Sequence, residues 1–162
     1  EQGKSQQALE LVKKSDREII SSYSILYNTG SDTADAILSE RQKELKTGVK
    51  INFSGNLSKL PEDNFDICVL LNNTIDIALF GLQSITSDGE KLIEISAMCK
   101  QGVLLYKISF PCENAGFFDD LQSSKDDMLK MNILRKLTEK NDGKMDTHIE
   151  NQVASITVRY IF

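Results

Sequence analysis

Leu70-Leu71-Asn72-Asn73-Thr74-Ile75-Asp76-Ile77-Ala78-Leu79 forms the middle of a run from about Asn64 to Ser84. Its apolar residues Ile67, Leu70, Leu71, Ile75, Ala78, Leu79 and Leu82 recur at intervals of three and four. That period predicts an amphipathic helix. Val69, Ile77 and Phe80 extend the apolar surface to further sides, so the helix is expected to lie deep in the fold. Asn73 and Asp76 are the polar exceptions on it. Taken alone, they read as members of a cap, a turn or a buried polar network.

The flanking elements follow from the same periodicities. Ala8, Leu9, Val12, Ile19, Ile20, Tyr23, Leu26 and Tyr27 predict an amphipathic helix over residues 1–28. Tyr27 to Asp32 break it, and Ser31 or Asp32 caps a second helix through Asp35, Ile37, Leu38 and Leu45, stopped at Thr47-Gly48. Val49, Ile51 and Phe53 alternate as a strand, followed by a loop over Gly55 to Asp63 with Pro61. After the long helix, Leu92–Met98 and Val103–Phe110 are expected to pair antiparallel through the short hairpin at Lys100-Gln101-Gly102. Pro111 to Asp127 shows no sustained period. Met128 to Lys140 reads as a helix ended by Asn141-Asp142-Gly143, and Lys144–Glu150 and Val153–Phe162 as closing strands. The sum is an α+β domain, a two-layer sandwich of a mixed sheet with helices on one face.

A chain of 162 residues with 40% hydrophobic composition has enough material for one substantial core. The formal charge of -5 gives no overall attraction for nucleic acid or anionic lipid, and neither is expected as a partner. No apolar run approaches the ~20 residues that span a bilayer, and no signal-peptide pattern opens the chain. Cys68, Cys99 and Cys112 have neither disulfide-framework nor zinc spacing, so reduced thiols in a cytoplasmic setting are expected: Cys68 and Cys99 in the core, Cys112 in a loop. His148 is the only histidine and reads as a surface strand residue. Asp119-Asp120 and Asp126-Asp127 read as solvated acidic pairs. The first residue, Glu1, falls in mid-helix pattern, which predicts a piece of a longer, membrane-anchored protein.

Asp35-Ala36-Ile37-Leu38-Ser39-Glu40, Gly48-Val49-Lys50-Ile51 and Asp66-Ile67-Cys68-Val69-Leu70-Leu71-Asn72-Asn73, in that order, resemble the ATP-binding domain of sensor histidine kinases of the peptide quorum-sensing type. These are a branch of the GHKL, or Bergerat-fold, ATPases. The resemblance runs from about Thr29 to the C-terminus and implies a GHKL domain over 29–162. Residues 1–28 would then be the C-terminal part of a dimerisation helix, and a homodimer and a response regulator the partners. The family pattern Asn-Leu-Leu-Asp-Asn-Ala falls on Asn73 to Ala78. By resemblance Asn73 is the catalytic position. Asn73, Asp76, Ser124 and Lys125 are the nucleotide-binding set, the last two from Ser123-Ser124-Lys125, which is similar to the family's ATP-lid tripeptide.

Four departures set this chain apart from the pattern. Ile77 stands where the family has a second asparagine whose side-chain oxygen helps hold Mg²⁺. Mg²⁺ takes near-octahedral oxygen ligands, and an alkyl group supplies none. Phe110-Pro111 replaces an expected asparagine after the strand, and the aromatic ring would fill part of an adenine cavity. The glycine-rich box maps onto Met128 to Leu134 with both glycines gone. Glycines there would let amides approach phosphate closely, and Met131 and its neighbours would obstruct that approach. Finally, no phosphoacceptor histidine precedes the domain. No metal-ligand set is assigned. The expectation is a histidine-kinase-type domain with weak or absent Mg-ATP turnover, a pseudokinase-like module. The alternative is an active kinase domain that phosphorylates a histidine upstream of this sequence.

Overall fold

The computed structural model describes residues 26–61, 65–86, 89 and 91–162. The helix expected over 1–28 falls on residues outside this set, except for 26–28, which are not helical. The elements are α1 (Asp32–Glu44), β1 (Val49–Asn56), α2 (Asp66–Leu82), β2 (Lys91–Lys100), β3 (Val103–Pro111), a short α3 (Phe117–Asp120), a 3-10 turn (Leu121–Ser123), α4 (Lys125–Lys140), β4 (Lys144–Glu150) and β5 (Val153–Ile161). Ser31 caps α1 by accepting from the amide of Ala34 at 3.4 Å. That satisfies one of the donors a helix start leaves unpaired.

The strands form one sheet in the order β1-β2-β3-β5-β4. β1 and β2 are parallel, joined by the crossover through α2, and every other neighbouring pair is antiparallel. The β2–β3 hairpin turns at Gln101 (φ 53) and Gly102 (φ 74), and the β4–β5 hairpin at Asn151 (φ 51) and Gln152 (φ 61). Two successive positive φ values make the mirror-image turn that matches strand twist.

One face of the sheet carries Ile93, Ile95, Ala97 and Cys99, then Leu104, Tyr106, Ile108 and Phe110, then Ala154, Ile156, Val158 and Tyr160, all buried. α2 lies across this layer between α1 and α4, and its Ile67, Leu70, Leu71, Ile75, Ile77 and Ala78 are at most 1% exposed. The helix that is apolar on several sides is therefore covered by three neighbours, as its composition required.

The stretch expected to be irregular, 111–127, corrects the reading. It holds α3, the 3-10 turn and the first turn of α4, which begins at Lys125 rather than Met128. Ser124 is the reason, because its hydroxyl accepts from the amide of Asp127 and caps the helix three residues early. Cys112 lies in the loop after β3, as expected, and is buried there with its Sγ 3.5 Å from the Asn114 carbonyl. Asp127, expected to be solvated, is 6% exposed and its carboxylate is paired with Lys130. His148 is exposed on β4, as expected.

Candidate functional site

Four side chains were expected to converge on nucleotide: Asn73 and Asp76 from α2, Ser124 and Lys125 from the start of α4. The Nδ2 of Asn73 donates to the carbonyl of Val69 at 2.7 Å, so its amide lies back along its own helix. Asn72 does the same to Cys68 at 3.0 Å, and Thr74 to Leu70 at 2.7 Å. Three successive polar residues thus spend donors on carbonyls one turn earlier. Thr74 also meets the Tyr106 hydroxyl at 2.6 Å beneath the helix. Desolvation around that fully buried phenol pushes its pKa upward, against a smaller lowering from Thr74.

Asp76 does the opposite and reaches outward to both neighbouring helices. Its Oδ1 is bonded by Arg41 Nη2 from α1, and its Oδ2 lies 3.8 Å from Lys130 Nζ of α4. Lys130 also reaches Asp127 at 3.3 Å, and Arg41 reaches Glu44 at 3.4 Å. At the other end of the same pair of helices, Asp66 accepts from Lys140 at 3.3 Å and from Asn141 at 2.9 Å. Contacts 66 to 140 and 76 to 130 mean that α2 and α4 run antiparallel and in step for ten residues, about 15 Å.

Ser124 is consumed as the cap of α4 and Lys125 is exposed at its first turn. Lys130 lies five residues, about 7.5 Å, further along that helix. The structure therefore brings Asp76 to α4 through Lys130 rather than through Ser124 or Lys125. Asn73 has no hydrogen bond to either of them among the described residues.

The hydrocarbon at Ile77 is 0% exposed and belongs to the core. Met131, expected to obstruct the phosphate approach, is 4% exposed and packs inward. That expectation is corrected, because the helical period turns Met131 to the core and its neighbour Lys130 toward Asp76. Phe110 is 1% exposed and meets Phe117 edge-on at 5.6 Å and 76°. Phe117 in turn contacts Phe80 at 6.1 Å and Phe118 at 5.2 Å. A Cβ on Gly81 would lie 2.6 Å from the Phe110 ring, so the bare glycine is what lets that ring lie against α2.

Sequence reading missed Arg41, Lys130, Asp127, Tyr106 and Phe117. The first pairs with a residue 35 positions away, a separation that no local period reports. At the positions the resemblance assigns to nucleotide, Ile77 carries no side-chain oxygen, Asn73 Nδ2 is bonded to the Val69 carbonyl, and the Asp76 carboxylate faces Arg41 and Lys130. Among the described residues no three His, Cys, Asp or Glu side chains converge as a metal site. Three clefts of about 430 to 470 Å³ lie elsewhere, one between the ends of α1 and α2, one on the outer sheet face, and one beside Gly30 and Pro61.

Residues 63–160 match the GHKL domain family. Among curated protein sequences none matches this chain. Its fold is shared with the histidine kinase domain of the Erythrobacter litoralis blue-light activated histidine kinase, at TM-score 0.60 and 13% identity over 86% of this chain and 63% of that one. The Acinetobacter baumannii histidine kinase AdeS gives TM-score 0.60 and 14% identity over 80% of this chain and 62% of that one. A histidine kinase from Burkholderia phymatum gives 0.56 and 12% over 96% and 80%. The chain thus spans a little under two thirds of the first two. Among the described residues no helix is long and apolar enough to cross a membrane. The matched region covers more than half of the chain and runs from α2 to β5, so the protein belongs to the GHKL domain family, with the fold of histidine-kinase ATP-binding domains.

Proposed function

We propose that this domain is a pseudokinase-like member of the GHKL family, a non-catalytic signalling module of a two-component sensor in which the nucleotide cleft is closed from within. The motif order points to the peptide quorum-sensing branch, and a response regulator or an active kinase is the partner class that a non-catalytic domain of this fold would serve.

The observation that carries this reading is the Arg41–Asp76–Lys130 bridge, which ties α1, α2 and α4 together over the helix face that the resemblance assigns to phosphate. Phosphoryl transfer depends on positioning and on neutralising phosphate charge with metal or free cations. Here the two cations are held by carboxylates, and Ile77 offers no metal ligand. Phe110 and Phe117 support the same reading at the adenine end, where an aromatic pair fills space next to α2.

The test is calorimetric titration of the 162-residue chain with ATP in the presence and absence of Mg²⁺. The expected outcome is no saturable binding tighter than about 1 mM. Mg-dependent binding in the micromolar range would overturn the proposal and favour an active kinase domain.

A further inference from the structure

The two edges of the sheet are treated differently. On β1, the Gln42 side chain donates to the Val49 carbonyl at 3.3 Å and accepts from the Ile51 amide at 2.8 Å, while the Tyr27 hydroxyl donates to the Ile51 carbonyl at 2.8 Å. Side chains there stand in for a neighbouring strand. At the other edge, β4 pairs only with β5 among the described residues, and its far side is open over seven residues.

The hairpin turn fixes which groups that open side presents. A two-residue turn at Asn151-Gln152 makes Glu150 and Val153 the closing hydrogen-bonded pair. Alternation then directs the backbone groups of Glu150, His148, Asp146 and Lys144 to β5. Those of Ile149, Thr147 and Met145 point outward. An unpaired row of this kind is a template for another strand.

We propose that the occupant is a second copy of the same strand, paired antiparallel about a two-fold axis at Thr147 and joining two sheets into one. The sequence of β4 is complementary to its own reverse in this register. Lys144 falls opposite Glu150, Met145 opposite Ile149, Asp146 opposite His148, and Thr147 opposite Thr147. The charged residues all lie on the outer face, where they are 59% or more exposed. Met145 and Ile149 lie on the helix side, half-buried, and gain cover from each other. Lys144 and Glu150 are of opposite charge, Met145 and Ile149 are both apolar, threonine meets threonine, and the His148 imidazole can donate to the Asp146 carboxylate, so each cross-strand pair is of a kind that favours pairing. A symmetric contact of this sort closes at two copies and leaves the capped β1 edges outside.

One strand pair buries less than the ~800 Å² per partner of a standard interface, which sets the expected affinity in the micromolar range or weaker. Sedimentation velocity of the 162-residue chain from about 10 μM to 1 mM should show a reversible monomer–dimer equilibrium. Lys144→Glu or Glu150→Lys alone sets like charges opposite each other twice per dimer and should weaken it about tenfold or more. The double reversal should return it to within about threefold of the parent. Thr147→Pro removes an outward N–H that β5 does not use, and should abolish the dimer while circular dichroism shows the fold retained. In Thr147→Cys the two-fold sets the Cα atoms about 5.5 Å apart, so mild oxidation should give a disulfide dimer mapped to position 147. A monomer at every concentration overturns the proposal. So does a dimer that survives Thr147→Pro, which would belong to another surface, or a double reversal as weak as the single ones.

Discussion

Asp76 shows how little a side chain's identity says about its role until its neighbours are known. On α2 it is the polar member of a family pattern, and by resemblance a nucleotide contact. In the fold its carboxylate lies between Arg41 and Lys130, whose side chains are 21% and 28% exposed. Partly buried cations lose hydration, and removing their counter-charge costs more than the pair itself contributes. Asp76→Ala is therefore expected to destabilise the domain by about 1–2 kcal/mol, discounted for the residual exposure of the three groups. Urea denaturation measures it as a lowered midpoint at unchanged slope. An unchanged midpoint would mean that the bridge does not hold α1 and α4 to α2. By the resemblance Ile77 stands at an asparagine position, and that an alkyl group supplies no metal ligand was legible in the sequence. That the same position is wholly buried was not, since the run is apolar on more than one side and its period does not single out a face.

The elements themselves were largely legible. α2, the β2–β3 hairpin and the two closing strands appear where period and turn chemistry put them. The miss was the segment from Pro111 to Asp127, where α3 and the start of α4 are set by short-range capping and by aromatic contacts. Phe117 is held by Phe110 and Phe80, and the Phe110 ring in turn lies on bare backbone at Gly81. Gly81→Ala would normally favour a helix by up to ~1 kcal/mol. Here its Cβ would meet an aromatic carbon at 2.6 Å. Overpacking of that kind costs about 1–3 kcal/mol, so the net effect is expected to be destabilising. Thermal denaturation should show a lower Tm, and Gly81→Ala combined with Phe110→Leu should recover part of it. A higher Tm for the single variant would mean that the ring yields freely and that α3 is not anchored through it.

At the scale of the whole molecule, the sheet buries Tyr106, Tyr160 and Cys99 on its helix-covered face. Desolvation by burial pushes all three upward: Cys99 to about 11 from 9.0, and both phenols well above 10.0. Tyr160 is raised further by the nearby charges of Asp66 and Cys99. Each group is neutral when protonated, so a raised folded pKa favours the native state while the proton stays on. That stability is fully present below about pH 9, and is lost as pH rises through the range in which the unfolded chain ionises first. Tm should be flat from about pH 6 to 8.5 and fall progressively above pH 9, with Cys99→Ala delaying the onset. A Tm that stays flat to pH 11 would contradict this burial. Sequence by itself determined the α+β class, the order of the elements, the resemblance to GHKL domains and the missing metal ligand. The class and the order depend on periods of two and 3.6 that act within a few residues, and the missing ligand is what the resemblance of the ordered motifs implies. Tertiary structure alone decided that Asp76 is neutralised by Arg41 and Lys130, that Phe110 is seated on Gly81, and that among the described residues β1 is capped while β4 is open. Those facts depend on which distant segments the sheet and its helices bring into contact, and no local pattern encodes a contact across 35 or 54 positions.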